Sequence, residues 1–314
     1  MSFVPKKQTF RASINEVTLG VGDKAVTIGG GSTLPFYSFD AEITNAPKIG
    51  VEILDTGMAA FPQTGLQEFY AGCQTVADMA VRAQSMPGVS FLALHFESAD
   101  PNGADASVAD CVALAKEVAD KVDLPLVIMG CKNVEKDAEL FSKVSEALTG
   151  KNILVLAPKE ENYKTVGAAA GLAYGQKVGA ESSVDINLAK QLNTVMTQLG
   201  VNPGAIVMQA GSAAAGYGFE YVASTLDRIK AAALGQNDAQ LQMPIITPIS
   251  SETWSVKEST APEAEMPEWG DAEERGIEME ITSAAACLAS GSDAVILRHP
   301  ASVAAIAKLI DALI

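Results

Sequence analysis

The 314-residue sequence predicts an α/β fold, a (β/α)8 TIM barrel with an N-terminal β-hairpin extension. Three observations predict it. Eight short and almost unbroken apolar runs follow one another from residue 49 onward, amphipathic helical patterns separate them, and residues 1–48 keep a different rhythm. Strands buried on both faces read as continuous apolar runs, and eight strand-then-helix units in succession close into a barrel. A doubly wound open sheet is the competing arrangement. No G-x-G-x-x-G opens a helix after the first run, which weakens its dinucleotide-binding version.

The organisation divides at residue 48. In residues 1–48, Ile14 to Leu19 and Ala25 to Ile28 read as two strands turning at Gly22-Asp23. Gly29-Gly30-Gly31-Ser32-Thr33 follows without the lysine of a phosphate-binding loop, and it reads as flexible backbone. This extension is expected to plug the N-terminal end of the barrel or to dock a partner. In residues 49–314 the strands are expected at Ile49–Leu54, Phe91–Phe96, Leu124–Gly130, Ile153–Ala157, Lys177–Val184, Ala205–Gln209, Pro244–Pro248 and Ala294–Arg298. Val108, Val112, Ala115, Val118 and Val122 form a helical stripe with Asp105 or Ser107 as its N-cap. Leu188, Leu192, Val195, Met196 and Leu199 form another, ended by Gly200. Ile277, Ile281, Ala284, Ala285 and Leu288 make a third before Gly291, and Val303, Ile306, Ile310 and Leu313 close the chain.

Composition narrows the function. Hydrophobic residues make up 48% of the chain, enough for a large core, yet no apolar run reaches the ~20 residues of a membrane span. Met1 to Gln8 carries no apolar signal-peptide core, so a cytoplasmic protein is expected. The net charge of −16 and the lack of a basic stripe argue against nucleic acid as a partner. Cys73, Cys111, Cys131 and Cys287 are too scattered for an iron–sulfur or zinc site; three fall in predicted helices and one at a strand end.

Barrel chemistry sits on the loops after the strands. The polar residues there are Asp55, His95, Glu97, Lys132, Asn133, Lys159, Asp185, Asn187, Gln209, Ser250, Ser251, Arg298 and His299. Both histidines of the chain, His95 and His299, fall at strand ends, where they can act as acid–base groups or contact a large cofactor; no spaced carboxylates make a metal site with them. No G-x-S-x-G elbow or cysteine–base pair indicates a nucleophile, so no catalytic residue is assigned. Glu278 and Glu280 do not share a helix face and read as solvated charges. Two loops stand out. Gln209 to Tyr221 is rich in small residues that let backbone approach a flat ligand or a partner. Ser250 to Gly270 is long, acidic and holds both tryptophans, Trp254 and Trp269, as a lid or a subunit interface would.

Several segments carry a resemblance in order along nearly the whole chain. They are Ile28-Gly29-Gly30 with Leu34-Pro35-Phe36-Tyr37, Ile49 to Asp55, Gly216-Tyr217-Gly218-Phe219-Glu220-Tyr221, Glu268-Trp269-Gly270, Arg275-Gly276 and Arg298-His299-Pro300. In these the sequence resembles the small (delta) subunit family of the corrinoid iron–sulfur protein of the acetyl-CoA decarbonylase/synthase pathway. The resemblance implies a barrel paired with a large subunit that holds a corrinoid (cobalamin) and a 4Fe–4S cluster. It further implies that a methyl group passes from methyltetrahydrofolate, through a separate methyltransferase, to acetyl-CoA synthase. This chain lacks clustered cysteines and lacks Asp-x-His-x-x-Gly, consistent with both metal groups residing in the partner. The expected cap over the corrinoid consists of His95, Gln209, Tyr217, Ser250, Trp254, Arg298 and His299. Tyr217, Arg298 and His299 come from the resembling motifs; strand-end position alone supplies the others. Two competing readings remain. One is an independent pterin-binding barrel methyltransferase, using Asp55, Asn133, Asp185 and Asn187. The other is an assembly scaffold that touches no cofactor.

Overall fold

A computed structural model describes Val4 and residues 6–314. Met1 to Phe3 and Pro5 lie outside the described residues, and with them much of the stretch read for a signal-peptide core. No helix among the described residues is long and apolar enough to cross a membrane.

The chain opens with an antiparallel pair, β1 (Glu16–Leu19) and β2 (Val26–Gly29). Eight parallel strands follow: β3 (Lys48–Leu54), β4 (Val89–His95), β5 (Leu126–Met129), β6 (Leu154–Leu156), β7 (Lys177–Glu181), β8 (Ile206–Gln209), β9 (Ile246–Pro248) and β10 (Ala294–Leu297). They pair in the order β8-β7-β6-β5-β4-β3-β10-β9, and a parallel bridge between Met208 and Ile245 joins the two ends. This is the predicted barrel, and each of its strands falls within one predicted run or a residue or two beyond its start. Lys177–Val184 is trimmed at its end, because Ser183 and Val184 turn to positive φ and leave the ladder.

The helices lie outside the strands. They are α1 (Thr64–Phe69), α2 (Val76–Ala83), α3 (Val108–Lys121), α4 (Val134–Ala147), α5 (Tyr163–Val166), α6 (Ile186–Leu199), α7 (Phe219–Lys230), α8 (Ile249–Thr253), α9 (Lys257–Thr260), α10 (Ala272–Ser290) and α11 (Pro300–Leu313). Ser107 is the N-cap of α3, accepting from the Asp110 N–H, and Gly200 ends α6 at φ 108°. Cys73 is the exception among the cysteines: it sits in the turn between α1 and α2 and not in a helix. All four thiols are free.

Alternation along the strands builds two apolar layers. One packs between strands and helices; the other fills the barrel, where Phe91, Ala93, Val127, Leu154, Val207, Ile246, Ala294 and Ile296 meet Val17, Leu19 and Ile28 of the hairpin. The hairpin is therefore the floor of the barrel. Its backbone is tied to the N-terminal ends of the strands: Gly20 N–H donates to Asn152 O at 2.8 Å, and Asn15 N–H to Gln242 O at 2.6 Å.

The triple glycine is a fixed joint in this floor and not loose chain. Gly30 N–H donates to Ile14 O at 3.1 Å and Ile14 N–H to Gly31 O at 2.9 Å. Gly29 adopts φ 83°, and a Cβ there would stand 2.1 Å from Asn15 O. Gly31 has open space around it. The two neighbours are thus expected to differ sharply. Gly29→Ala should lower unfolding stability in urea by ~1–3 kcal/mol, through forced backbone shift and positive-φ strain. Gly31→Ala should stay within ~0.5 kcal/mol of the parent. Equal losses would contradict the clamp.

Candidate functional site

Sequence register brings three residues together toward the C-terminal end of the barrel. β10 and β3 pair Leu297 with Val51, so the next residue, Arg298, stands beside Glu52. β3 and β4 pair Leu54 with His95. Glu52 is fully buried. Its Oε2 accepts from Arg298 Nε at 3.0 Å and Nη2 at 2.7 Å, and its Oε1 accepts from His95 Nδ1 at 2.7 Å. The Arg298 guanidinium also lies over the Phe61 ring, 5.5 Å from its centroid. Burial pushes the Glu52 carboxyl up, but the Arg298 charge and the His95 contact outweigh it and hold the group well below its ordinary value. Ser250 is buried beside this group at the start of α8. For His95, burial lowers the imidazole, and Glu52 overcomes it to leave a raised value.

A second buried carboxylate holds the other side of Arg298. Glu280 of α10 accepts from Arg298 N–H at 2.7 Å, from His299 N–H at 3.2 Å and from Trp254 Nε1 at 3.2 Å. Its carboxyl is raised by burial against these bonds. The expectation that Glu280 is a solvated charge is therefore wrong. It lies three residues after Ile277 and four before Ala284, on the helix stripe that faces the barrel. Trp254 reaches it by lying flat on Gly276, where a Cβ would come within 2.2 Å of the indole. His299 caps α11: its Nδ1 accepts from Ala301 N–H at 3.1 Å, so Nε2 carries the proton it donates to Glu273 at 2.9 Å. Burial lowers the His299 imidazole. The two histidines thus serve separate carboxylates, and no group of three metal-ligating side chains occurs among the described residues.

Next to this network the mouth opens into a cavity of about 220 Å3. The ends of β5, β6, β7 and β8 wall it, with His95 and Pro248 on the near side. Lys132 pairs with Glu252 at 3.1 Å, and Lys159 approaches Glu181 at 4.0 Å. Asp137 closes one side, its carboxyl raised by burial although Cys131 N–H donates to it at 2.8 Å. Three residues of the lining hold positive φ without being glycine: Lys132 at 69°, Ser183 at 46° and Val184 at 64°. For a β-branched residue this is a true outlier, and such strain costs of order 1–3 kcal/mol per residue.

The residues expected to form a cap divide among these places. His95 and Gln209 line the cavity. Ser250, Trp254, Arg298 and His299 are buried in the network beside it. Tyr217 stands apart, 51% exposed, and donates from its hydroxyl to Glu258 at 2.6 Å. The long loop that carries Glu258 is stapled by Arg275, which donates to the carbonyls of Glu258, Ala261 and Gly270 and lies over Trp269. Glu52, Glu280, Asp137 and the strained turns were missed. The residues proposed to hold a pterin lie outside the cavity wall: Asp55 accepts from Ser98, Asn133 caps α4 and Asp185 caps α6.

The sequence pattern of the CO dehydrogenase/acetyl-CoA synthase delta subunit family matches residues 16–307. The chain belongs to this family. Among its relatives is the acetyl-CoA decarbonylase/synthase complex subunit delta of Archaeoglobus fulgidus, 28% identical over 99% of this chain and 71% of that protein. Another is subunit delta 1 of Methanosarcina thermophila, 29% identical over 94% of this chain and 67% of that protein. Similar solved structures include the dihydropteroate synthases of Xanthomonas albilineans, at TM-score 0.58, and Thermus thermophilus, at 0.55. Each is 12% identical and covers 95% of this chain, and they cover 98% and 100% of their own length in turn. At that identity they show the barrel fold alone. In this delta-family chain the motif residues Arg275, Gly276, Arg298 and His299 are the parts that hold the mouth together.

The buried network has a measurable signature. Glu52→Gln leaves Arg298 buried without its counter-charge, and the loss in unfolding stability should be ~3–5 kcal/mol at neutral pH. Because the Glu52 carboxyl is held below its ordinary 4.5, its contribution is complete above that pH and is lost as pH falls further. His95 is held above 6.5, so its contribution is complete below 6.5 and is lost as pH rises through the folded-state value. The difference in stability between parent and Glu52→Gln should therefore narrow toward both acid and alkaline pH. A flat difference across that range would show that Glu52 is not the charged centre.

Proposed function

We propose that this chain is the small subunit of an acetyl-CoA decarbonylase/synthase complex, paired with a large subunit that holds a corrinoid and a 4Fe–4S cluster. The barrel mouth acts as the lid over that corrinoid while a methyl group passes from a methyltetrahydrofolate methyltransferase to acetyl-CoA synthase. The observation that carries this reading is a mouth with a polar, strained cavity beside a saturated ionic network. A cavity of about 220 Å3 is smaller than the ~300–1,000 Å3 that encloses a drug-sized ligand. It suits a part of a large ring and not the whole of it, as a lid requires.

The residues present fit such a group. The Gln209 side-chain oxygen is buried in the cavity wall without a partner. Gln209, His95 and Lys132 would meet the ligand from the cavity, and Tyr217 would meet it from the exposed loop. Arg298, His299, Trp254 and Ser250 would position these groups from behind. The bound corrinoid supplies the cobalt on which the methyl group is carried. This chain's own contribution is enclosure, orientation and exclusion of water. None of Asp55, Asn133, Asp185 and Asn187 lines the cavity; Asp55 accepts from Ser98 and Asn133 and Asp185 cap helices, so the independent methyltransferase is the weaker reading.

The test is anaerobic purification of the tagged chain from its native host, followed by a visible spectrum. A larger companion with corrinoid and iron–sulfur absorption is expected. A colourless single chain that binds methyltetrahydrofolate would replace this reading with the methyltransferase.

A further inference from the structure

The outer face of α10 carries a groove that shares no residue with the mouth cavity. Arg275, Glu278, Met279 and Thr282 recur at three- and four-residue steps, so they share the side of the helix that turns away from Gly276, Glu280 and Ala284. With Ala215 and Trp269 they bound a space of about 410 Å3 whose lining is mainly apolar. The groove is built in advance. Arg275 is fixed by the carbonyls of Glu258, Ala261 and Gly270, and the Tyr217 hydroxyl ties Glu258 to the loop after β8. Trp269 is 37% exposed in its wall, and Tyr217 stands exposed beside Glu258. A preformed apolar surface with exposed aromatic anchors is what a protein interface needs and what an unpartnered surface seldom keeps.

The charge around the groove is one-sided. Between Lys257 and Glu278, 22 residues hold eight carboxylates and two cations. Among the described residues no lysine or arginine pairs with any of the eight; Glu258 accepts from Tyr217 and Glu273 from His299. Elsewhere Lys121, Lys136, Lys190 and Lys230 each hold a carboxylate. One cation of the segment, Arg275, shows what the surface accepts: its guanidinium lies 5.7 Å from the centre of the Trp269 ring.

We propose that this groove docks a cationic segment of another protein, one that carries arginine or lysine together with apolar side chains. The apolar side chains fill the groove between Trp269 and Met279, and the cations meet Glu258 and Glu278, which line it. Phosphate-rich partners, whether nucleic acid or an anionic lipid surface, would meet charge of their own sign. A second copy of this chain packed two-fold on the same face would set eight carboxylates against eight. The docking is independent of the lid, since the groove and the mouth cavity are separate surfaces.

The groove can be followed through its own tryptophan. The chain has two tryptophans and Trp254 is buried, so the fluorescence that acrylamide quenches comes from Trp269. Its loss in Trp269→Phe checks the assignment. Short peptides are added to the full-length chain: arginine alternating with leucine, glutamate with leucine, and arginine with serine. The arginine–leucine peptide should shield Trp269 from acrylamide and bind more weakly as salt rises. The arginine–serine peptide should bind about tenfold more weakly, for want of apolar burial. The glutamate–leucine peptide should leave Trp269 open. Thr282→Arg and Glu278→Lys, both at exposed positions, should each weaken the arginine–leucine peptide about tenfold. Equal shielding by the glutamate–leucine peptide overturns the cationic partner. Peptide binding, read by anisotropy, that leaves Trp269 open or is unmoved by both variants overturns the groove. Shielding that grows with protein concentration alone, together with a dimer in sedimentation, gives the groove to a second copy and overturns the proposal. Failure of every peptide to bind overturns it as well.

Discussion

A carboxylate with no access to water is the constraint on which the mouth of this barrel depends. Glu52 projects into the interior from β3, and an unpaired charge there would cost far more than the fold's net stability. It is tolerated because the Arg298 guanidinium, just after β10, donates twice to one carboxylate oxygen and the His95 imidazole of β4 meets the other. These are the strands on either side of β3 in the sheet. The same ion cluster therefore staples three adjacent strands near their C-terminal ends. Glu280 extends the staple outward by accepting the backbone N–H groups of residues 298 and 299, which locks the end of β10 to α10. Arg298 is held twice, by its side chain on one carboxylate and by its backbone on the other.

The remainder of the mouth is built on the opposite principle. Around β3, β4 and β10 the main charged groups have found partners. Around β5 to β8 the wall contains positive-φ residues, exposed lysine–glutamate pairs and a buried amide oxygen without a donor. Strain of this kind persists only where surrounding structure over-determines it. Here that structure is the stapled half together with the hairpin floor, which fills the lower barrel with Val17, Leu19 and Ile28. A closed floor and one rigid wall hold the strained wall in its conformation.

The architecture was legible in the sequence because strands buried on both faces leave unmistakable apolar runs. The site was less so. The expectation that polar residues would gather after the strands located His95, Gln209 and Arg298, but it skipped Glu52, which lies within a strand. A signal was available: one charge inside Ile49–Leu54 must be paired, and the only cation at a strand end on a neighbouring strand is Arg298. Glu280 was misread because its neighbour two positions back is also acidic. Its spacing from Ile277 and Ala284 puts it on the buried stripe. The strained turns leave no trace of this kind. Ser183 and Val184 carry no composition that demands positive φ, and only the bonds of Val184 to Ala210 and the bare Cα of Gly211 impose it.

The likeness to dihydropteroate synthases, at 12% identity, shows the barrel fold and nothing of what its mouth does. A barrel that encloses a small planar ring needs polar side chains free to reach inward from its strand ends. In this chain Asp55, Asn133 and Asp185 are consumed in turning the chain, as a serine acceptor and as two helix caps. What faces the opening instead is a cavity of about 220 Å3, with Gln209 at the end of β8 in its wall. The paired carboxylates beside that cavity, Glu52 under the Arg298 side chain and Glu280 under its backbone, are what hold this side of the mouth rigid.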